Sequence, residues 1–197
     1  MTRIAVLVSG GGTNLQALLD AQESDNLGGG DISLVISSRP GVFAIERAQK
    51  AGIKTITIER KKYAQVSEFD NEIAAALSEN SIGLVVLAGF LSVLGPKTLA
   101  AYKDRIINVH PALIPSFCGK GFYGLRVHEA VLEYGVKVTG ATVHFVNDVI
   151  DGGKIILQKA IDILPDDTPE SLQQRVMREC EWELLPKAVA MFCEREI

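Results

Sequence analysis

Short apolar runs alternate with amphipathic stretches from the start of the chain. Arg3 to Val8 is nearly all apolar and ends in Ser9-Gly10-Gly11-Gly12, the pattern of a buried strand feeding a tight turn. The next stretch puts Leu15, Leu18 and Leu19 on one helical face, with Thr13 or Asn14 available as a cap. Asp31 to Ser37 predicts a second strand, Val42 to Ala51 a helix stopped by Gly52, and Lys54 to Ile58 a third strand. Tyr63 to Glu79 predicts a helix with a polar face. Gly83 to Leu87 and Arg105 to Val109 predict strands four and five.

The rhythm then changes. Pro111 to Tyr123 holds two prolines and two glycines and predicts a long loop. Val127 to Tyr134 predicts a helix, and Lys137 to Asn147 and Lys154 to Ile163 predict strands joined by a turn over Asp148 to Gly153. Thr168 to Glu194 predicts a helix with Pro169 in its first turn. The expected fold is α/β and Rossmann-like: a mostly parallel twisted sheet with helices on both faces, and mixed or antiparallel strands in the C-terminal half. One domain, 1–197, is expected, with residues 1–110 forming a phosphate-binding α/β half and 111–197 a ligand-binding and catalytic-loop half with a C-terminal helix.

The 197 residues are 47% hydrophobic, enough for a sizeable core, and carry a formal net charge of -4. No strong field draws such a chain to nucleic acid or acidic lipid, so no nucleic-acid or membrane partner is expected. An anion site must then be built from main-chain donors or a few placed side chains. The N-terminal stretch lacks the pattern of a signal peptide, and a cytoplasmic protein is expected. Cys118, Cys180 and Cys193 match neither a zinc pattern nor a disulfide framework, and no metal is expected.

In such sheets ligands sit beyond the carboxyl ends of the strands, which directs attention to the segments after Val8, Leu87 and Val109. Gly10 to Asn14 joins a strand to a helix, where unpaired N–H groups and the positive dipole end suit a phosphate. No lysine follows as in a Walker A loop, and Leu15 takes the place of the third glycine of a dinucleotide fingerprint. Asn108 and His110 lie two apart on a strand and share a face, with Pro111 ending the pairing. An amide donor beside an acid–base imidazole fits acyl-group transfer. Asp151 precedes two glycines, so a sharp loop can return its carboxylate toward His110, orienting the ring and favouring its cationic form. The alternative is that Asp151 only shapes its own turn. His144 reads as a structural residue bonding nearby backbone, without a proton-transfer role. His128 reads as a solvated residue near a helix start.

Val8 to Gln16, Leu87 to Leu91, Ile107 to Pro115 and Gly140 to Gly153 resemble, in order, the motifs of the phosphoribosylglycinamide formyltransferases, a family of folate-dependent formyl transferases. The resemblance runs from Ile4 to about Pro186. It implies transfer of a formyl group from the co-substrate 10-formyltetrahydrofolate to the amine of glycinamide ribonucleotide, a purine-biosynthetic step, without a metal, by a monomer or homodimer. It implies Asn108, His110 and Asp151 as the catalytic set, and Gly12, Thr13 and Asn14 at the substrate phosphate. It implies Leu91, Ser92, Val93 and Leu94, with Asn108 and the loop Asn147, Asp148, Val149 and Ile150, at the folate. It places Glu181 at the ribose, with one extra residue upstream of it relative to the family. Where the family offers an arginine to the folate tail, this chain has Val66, with Arg60, Lys61 and Lys62 nearby.

Overall fold

The computed structural model describes residues 1–197. One seven-stranded sheet runs in the order β3-β2-β1-β4-β5-β6-β7. Its strands are β1 (Thr2–Val8), β2 (Gly30–Ser37), β3 (Lys54–Thr57), β4 (Leu84–Leu87), β5 (Ile106–His110), β6 (Val138–Phe145) and β7 (Ile155–Asp162). The first five pair in parallel, and β6 and β7 pair antiparallel. The chain therefore builds outward from β1 to β3, then returns to the other side of β1 to continue with β4. The point of reversal lies between β1 and β4, so the segments leaving their carboxyl ends diverge and open a crevice there.

The helices are α1 (Thr13–Glu23), α2 (Phe43–Lys50), α3 (Val66–Glu79), α4 (Pro96–Ala101), α5 (Leu125–Tyr134), α6 (Pro169–Val176) and α7 (Trp182–Cys193). The apolar run of β1 is explained by burial on both faces. Ile4, Val6 and Val8 join a cluster with Leu15, Leu18 and Leu185, while Ala5 and Leu7 join a second with Phe69, Ile73 and Leu77 from α3. A strand packed on both sides has no polar alternation to show.

Several elements differ from the sequence expectation. Helix α1 is entered through Gly12 at φ 72°, with no side-chain cap from Thr13 or Asn14, because both side chains face Met177 and Glu181 instead. Helix α3 starts later than expected, at Val66, because Gln65 and Glu68 close a reciprocal capping box. The short helix α4 was not foreseen. Its first N–H groups are satisfied from a distance by buried Asp70 of α3, which accepts from Gly95 N, Lys97 N and Thr98 N. The long C-terminal helix is continuous, with Thr168 capping it and Pro169 in its first turn, but its middle, Met177–Glu181, is a π turn.

Candidate active site

Helix α2 braces the glycine turn after β1. Ala44 N donates to Gly10 O at 3.2 Å, and Arg47 Nε donates to Gly11 O at 2.9 Å. A side chain at position 12 would meet Ala44 Cβ at 2.6 Å, and the backbone there is left-handed, so glycine is required twice over. At Gly10 and Gly11 the Cβ direction opens into empty space. Ser9, at the root of the turn, shares a hydrogen bond with Ser38 Oγ at 2.6 Å and accepts from Leu91 N at 2.9 Å. It thus ties the ends of β1 and β2 to the segment leaving β4.

Strand β5 carries Asn108 and His110 to its carboxyl end. His110 is buried, and its Nε2 donates to Phe117 O at 2.8 Å. A carbonyl only accepts, so in the neutral ring the proton sits on Nε2 and Nδ1 is bare. That bare nitrogen faces Asp151 Oδ2 at 3.7 Å. The separation is too long for a hydrogen bond, but it sets a carboxylate beside that nitrogen.

The loop after β6 carries Asp151 back to the sheet, as its position before two glycines suggested. A Cβ at Gly153 would fall 1.6 Å from Phe145 O, so only glycine lets the returning backbone pass this close to β6. Phe145 N donates to Lys154 O at 2.9 Å and pins the start of β7 there. The Asp151 carboxylate accepts from Gly119 N at 2.8 Å, which couples this loop to the segment after β5. Its other oxygen lies 3.7 Å from His144 Nε2. Thr142 holds the stretch after His110 in place, donating to Ala112 O at 2.7 Å and accepting from Ile114 N at 3.1 Å.

At the far side of the glycine turn, Asn14 Nδ2 donates to Glu181 Oε2 at 2.6 Å. Glu181 is buried, and burial pushes its carboxyl up to about 7, with the Asn14 bond pulling weakly the other way. Met177 and Glu181 stand at the two ends of the π turn, and both side chains meet the glycine turn, Met177 Sδ at Thr13 and Glu181 at Asn14.

These parts line one cavity of about 740 Å³. Every site residue named from the sequence lies on its wall: Gly12, Thr13 and Asn14; Leu91, Ser92, Val93 and Leu94; Asn108 and His110; Asn147 through Asp151; and Glu181. Val66 is exposed at the first turn of α3 and does not reach the wall, nor do Arg60, Lys61 and Lys62. The lysine and arginine side chains on the wall are Arg39 and Lys120, which sequence reasoning passed over as turn and loop residues. His128 also lines the cavity. It was expected to be solvated but is fully buried, because it faces inward beside Val127 and Val131 on α5. Neither of its ring nitrogens has a partner, and burial, followed by the nearby His110, lowers its pKa to about 4.

Fold and site together define a Rossmann-like α/β protein whose crevice is lined by the glycine turn, exposed apolar side chains and an Asn–His–Asp group. The chain belongs to the formyl transferase family, whose model matches residues 2–189. It is similar to phosphoribosylglycinamide formyltransferase of Haemophilus influenzae, 37% identical over 194 residues covering 98% of this chain and 88% of that one. It is similar to the trifunctional purine biosynthetic protein adenosine-3 of Drosophila melanogaster, 42% identical over 190 residues covering 96% of this chain, and spans 14% of that protein's length. Among solved structures, glycinamide ribonucleotide transformylase 1 of Symbiobacterium toebii superposes with a TM-score of 0.93 at 40% identity, covering 99% of this chain and 89% of that one.

Proposed function

We propose that this chain transfers the formyl group of 10-formyltetrahydrofolate to the amine of glycinamide ribonucleotide, a step of purine biosynthesis. The observation that carries the reading is the convergence of Asn108, His110 and Asp151 on the cavity that also holds the glycine turn. Membership of the formyl transferase family and similarity to relatives named for this reaction support the same substrates.

The phosphate of the nucleotide lies against the N–H groups of Gly12, Thr13 and Asn14, at the positive end of α1, where Gly10 and Gly11 leave room for it. Glu181, held by Asn14, is within reach of the ribose. Leu91 and Val93 after β4, with Val149 and Ile150 of the facing loop, are exposed apolar side chains on the cavity wall and fit an aromatic pterin between them. The folate brings the formyl carbon on N10.

When the amine attacks that carbon, the carbonyl oxygen gains charge. Asn108 donates an N–H to it, and His110, protonated at the nitrogen facing Asp151, meets it as a cation. Asp151 stabilises that cation and organises proton transfer from the attacking amine toward N10. Holding both substrates in one cleft supplies much of the acceleration through orientation. No step calls for a metal. The reading is tested by mixing purified protein with 10-formyltetrahydrofolate and glycinamide ribonucleotide and following tetrahydrofolate release by absorbance. Release that depends on the nucleotide is expected. Release without it, or none at all, contradicts the proposal.

A further inference from the structure

Strands β5 and β6 are antiparallel, and their register sets Asn108 directly opposite His144. Directly opposed side chains share a face and meet. The His144 side chain is almost wholly buried there, more deeply than a surface-strand histidine would be. Its Nδ1 lies 2.8 Å from Phe145 O. Since that carbonyl can only accept, the ring proton sits on Nδ1 and Nε2 carries a lone pair. Burial lowers the His144 pKa, which keeps this neutral form in place near pH 7.

The bare Nε2 lies 3.1 Å from the Asn108 amide nitrogen. Only one orientation of that amide is then acceptable. With the nitrogen toward Nε2, an N–H donates to a lone pair; with the amide turned over, Oδ1 and Nε2 would set two lone pairs against each other. An amide nitrogen has two hydrogens, so engaging one leaves the other.

We propose that His144 is a positioning residue: it fixes the Asn108 amide so that one N–H is held by the imidazole and the second is presented to the formyl oxygen. This inference rests on Asn108 acting as the oxyanion donor. It adds a role for His144 beyond bonding to backbone. Without the imidazole acceptor, the Asn108 amide can present Oδ1 to the developing oxyanion as readily as a hydrogen, and an acceptor there repels the charge it should stabilise.

The charged and titratable groups facing the ring are Asp151, from the loop after β6, and His110, from β5. Asp151 Oδ1 is 3.7 Å from Nε2, so a proton placed on Nε2 would be attracted to that carboxylate. Such a proton would remove the acceptor for Asn108 and draw Asp151 away from His110 at once. The Phe145 carbonyl, at 2.8 Å, decides the tautomer against it. His144 protonation therefore has a defined sign: turnover falls as pH drops through its lowered pKa.

The test is a mutant cycle on turnover, with both substrates saturating. His144→Leu removes the acceptor and is expected to lower kcat by about tenfold to a hundredfold, with either KM moving less than about threefold. His144→Gln, whose Oε1 can accept, is expected to recover at least about tenfold of that loss where the loss is large. Added to Asn108→Ala, His144→Leu is expected to lower kcat no further than about threefold, because the imidazole acts through the amide. Multiplicative losses overturn the inference. An impaired Asn108→Ala beside a fully active His144→Leu overturns it while leaving the oxyanion donor in place. A fully active Asn108→Ala removes the donor and the inference together. Nitrogen-15 NMR of the wild-type imidazoles needs no variant to fold: an Nδ1-protonated ring at position 144 near pH 7 is expected, and an Nε2-protonated one overturns the inference.

Discussion

Asn14 and Glu181 lock the first helix to the last helical segment: the amide donates to the carboxyl at 2.6 Å, at the edge of the cleft and out of water. The Glu181 carboxyl sits at about 7 in the fold against 4.5 in the open chain. The fold therefore favours the protonated acid. Its contribution is complete below pH 4.5 and is lost as pH rises through 7. His128 acts in the opposite sense. Its ring is held neutral to about 4 against 6.5 when solvated, so it disfavours the fold as pH falls from 6.5 toward 4. Glu181→Gln keeps an acceptor for Asn14 and cannot ionise. The stability of Glu181→Gln relative to wild type is expected to rise by roughly 2–3 kcal/mol between pH 4.5 and 8. Urea unfolding at the two pH values checks this, and a constant difference contradicts it.

Asp70 predicts a different kind of loss. Its buried carboxylate caps α4 by accepting from Gly95 N, Lys97 N and Thr98 N, and a Cβ at Gly95 would already clash with it at 2.6 Å. Asp70→Ala leaves these donors without an acceptor, at a cost of about 2–4 kcal/mol. Because α4 anchors the end of the segment from Gly89 to Gly95, which forms one wall of the cavity, the KM for the folate is expected to rise as well. Equilibrium unfolding and folate titration measure both. A change under about 0.5 kcal/mol would show that water replaces the carboxylate fully.

The π turn predicts an asymmetry between two deletions. Removing exposed Glu179 lets Met177–Glu181 tighten into an ordinary α turn, with the helices on either side keeping their positions. Removing exposed Lys187 has no such reserve. It rotates everything after it by about 100° about the helix axis and turns Ala188 and Val189 out of the core. The Glu179 deletion is expected to cost less than about 1.5 kcal/mol, and the Lys187 deletion more than about 3 kcal/mol. Thermal unfolding of the two proteins compares them, and equal losses would contradict the role given to the π turn.

The sheet was legible because β1, β2, β4 and β5 are largely buried and each stands out as a short apolar run, while β3 is bounded by the turn at Gly52. The cleft was legible because Ser9 to Asn14, Asn108 to Pro111 and Asp151 to Gly153 each pair chemistry with a chain reversal. What sequence could not give was set by partners far along the chain. Helix α4 has no amphipathic period of its own and is started by Asp70 of another helix. His128 is buried by the neighbours of α5, and nothing in its spacing from Val127 and Val131 separates an inward histidine from a solvated one. The pairing of Asn108 with His144 follows from the register of β5 on β6, which is settled only when the strands fold together. The distance from His110 to Asp151 depends on Gly153 passing against Phe145 O, a contact no local pattern reports.

The central claim is that Asn108, His110 and Asp151 act as one unit on one carbon. Its most direct test is single-turnover formyl transfer by Asp151→Asn, a substitution that keeps an oxygen to accept from Gly119 N but removes the charge facing His110. The rate is expected to fall at least about a hundredfold, with folding stability within about 1 kcal/mol of wild type. A folded Asp151→Asn protein transferring formyl at close to the wild-type rate would contradict it.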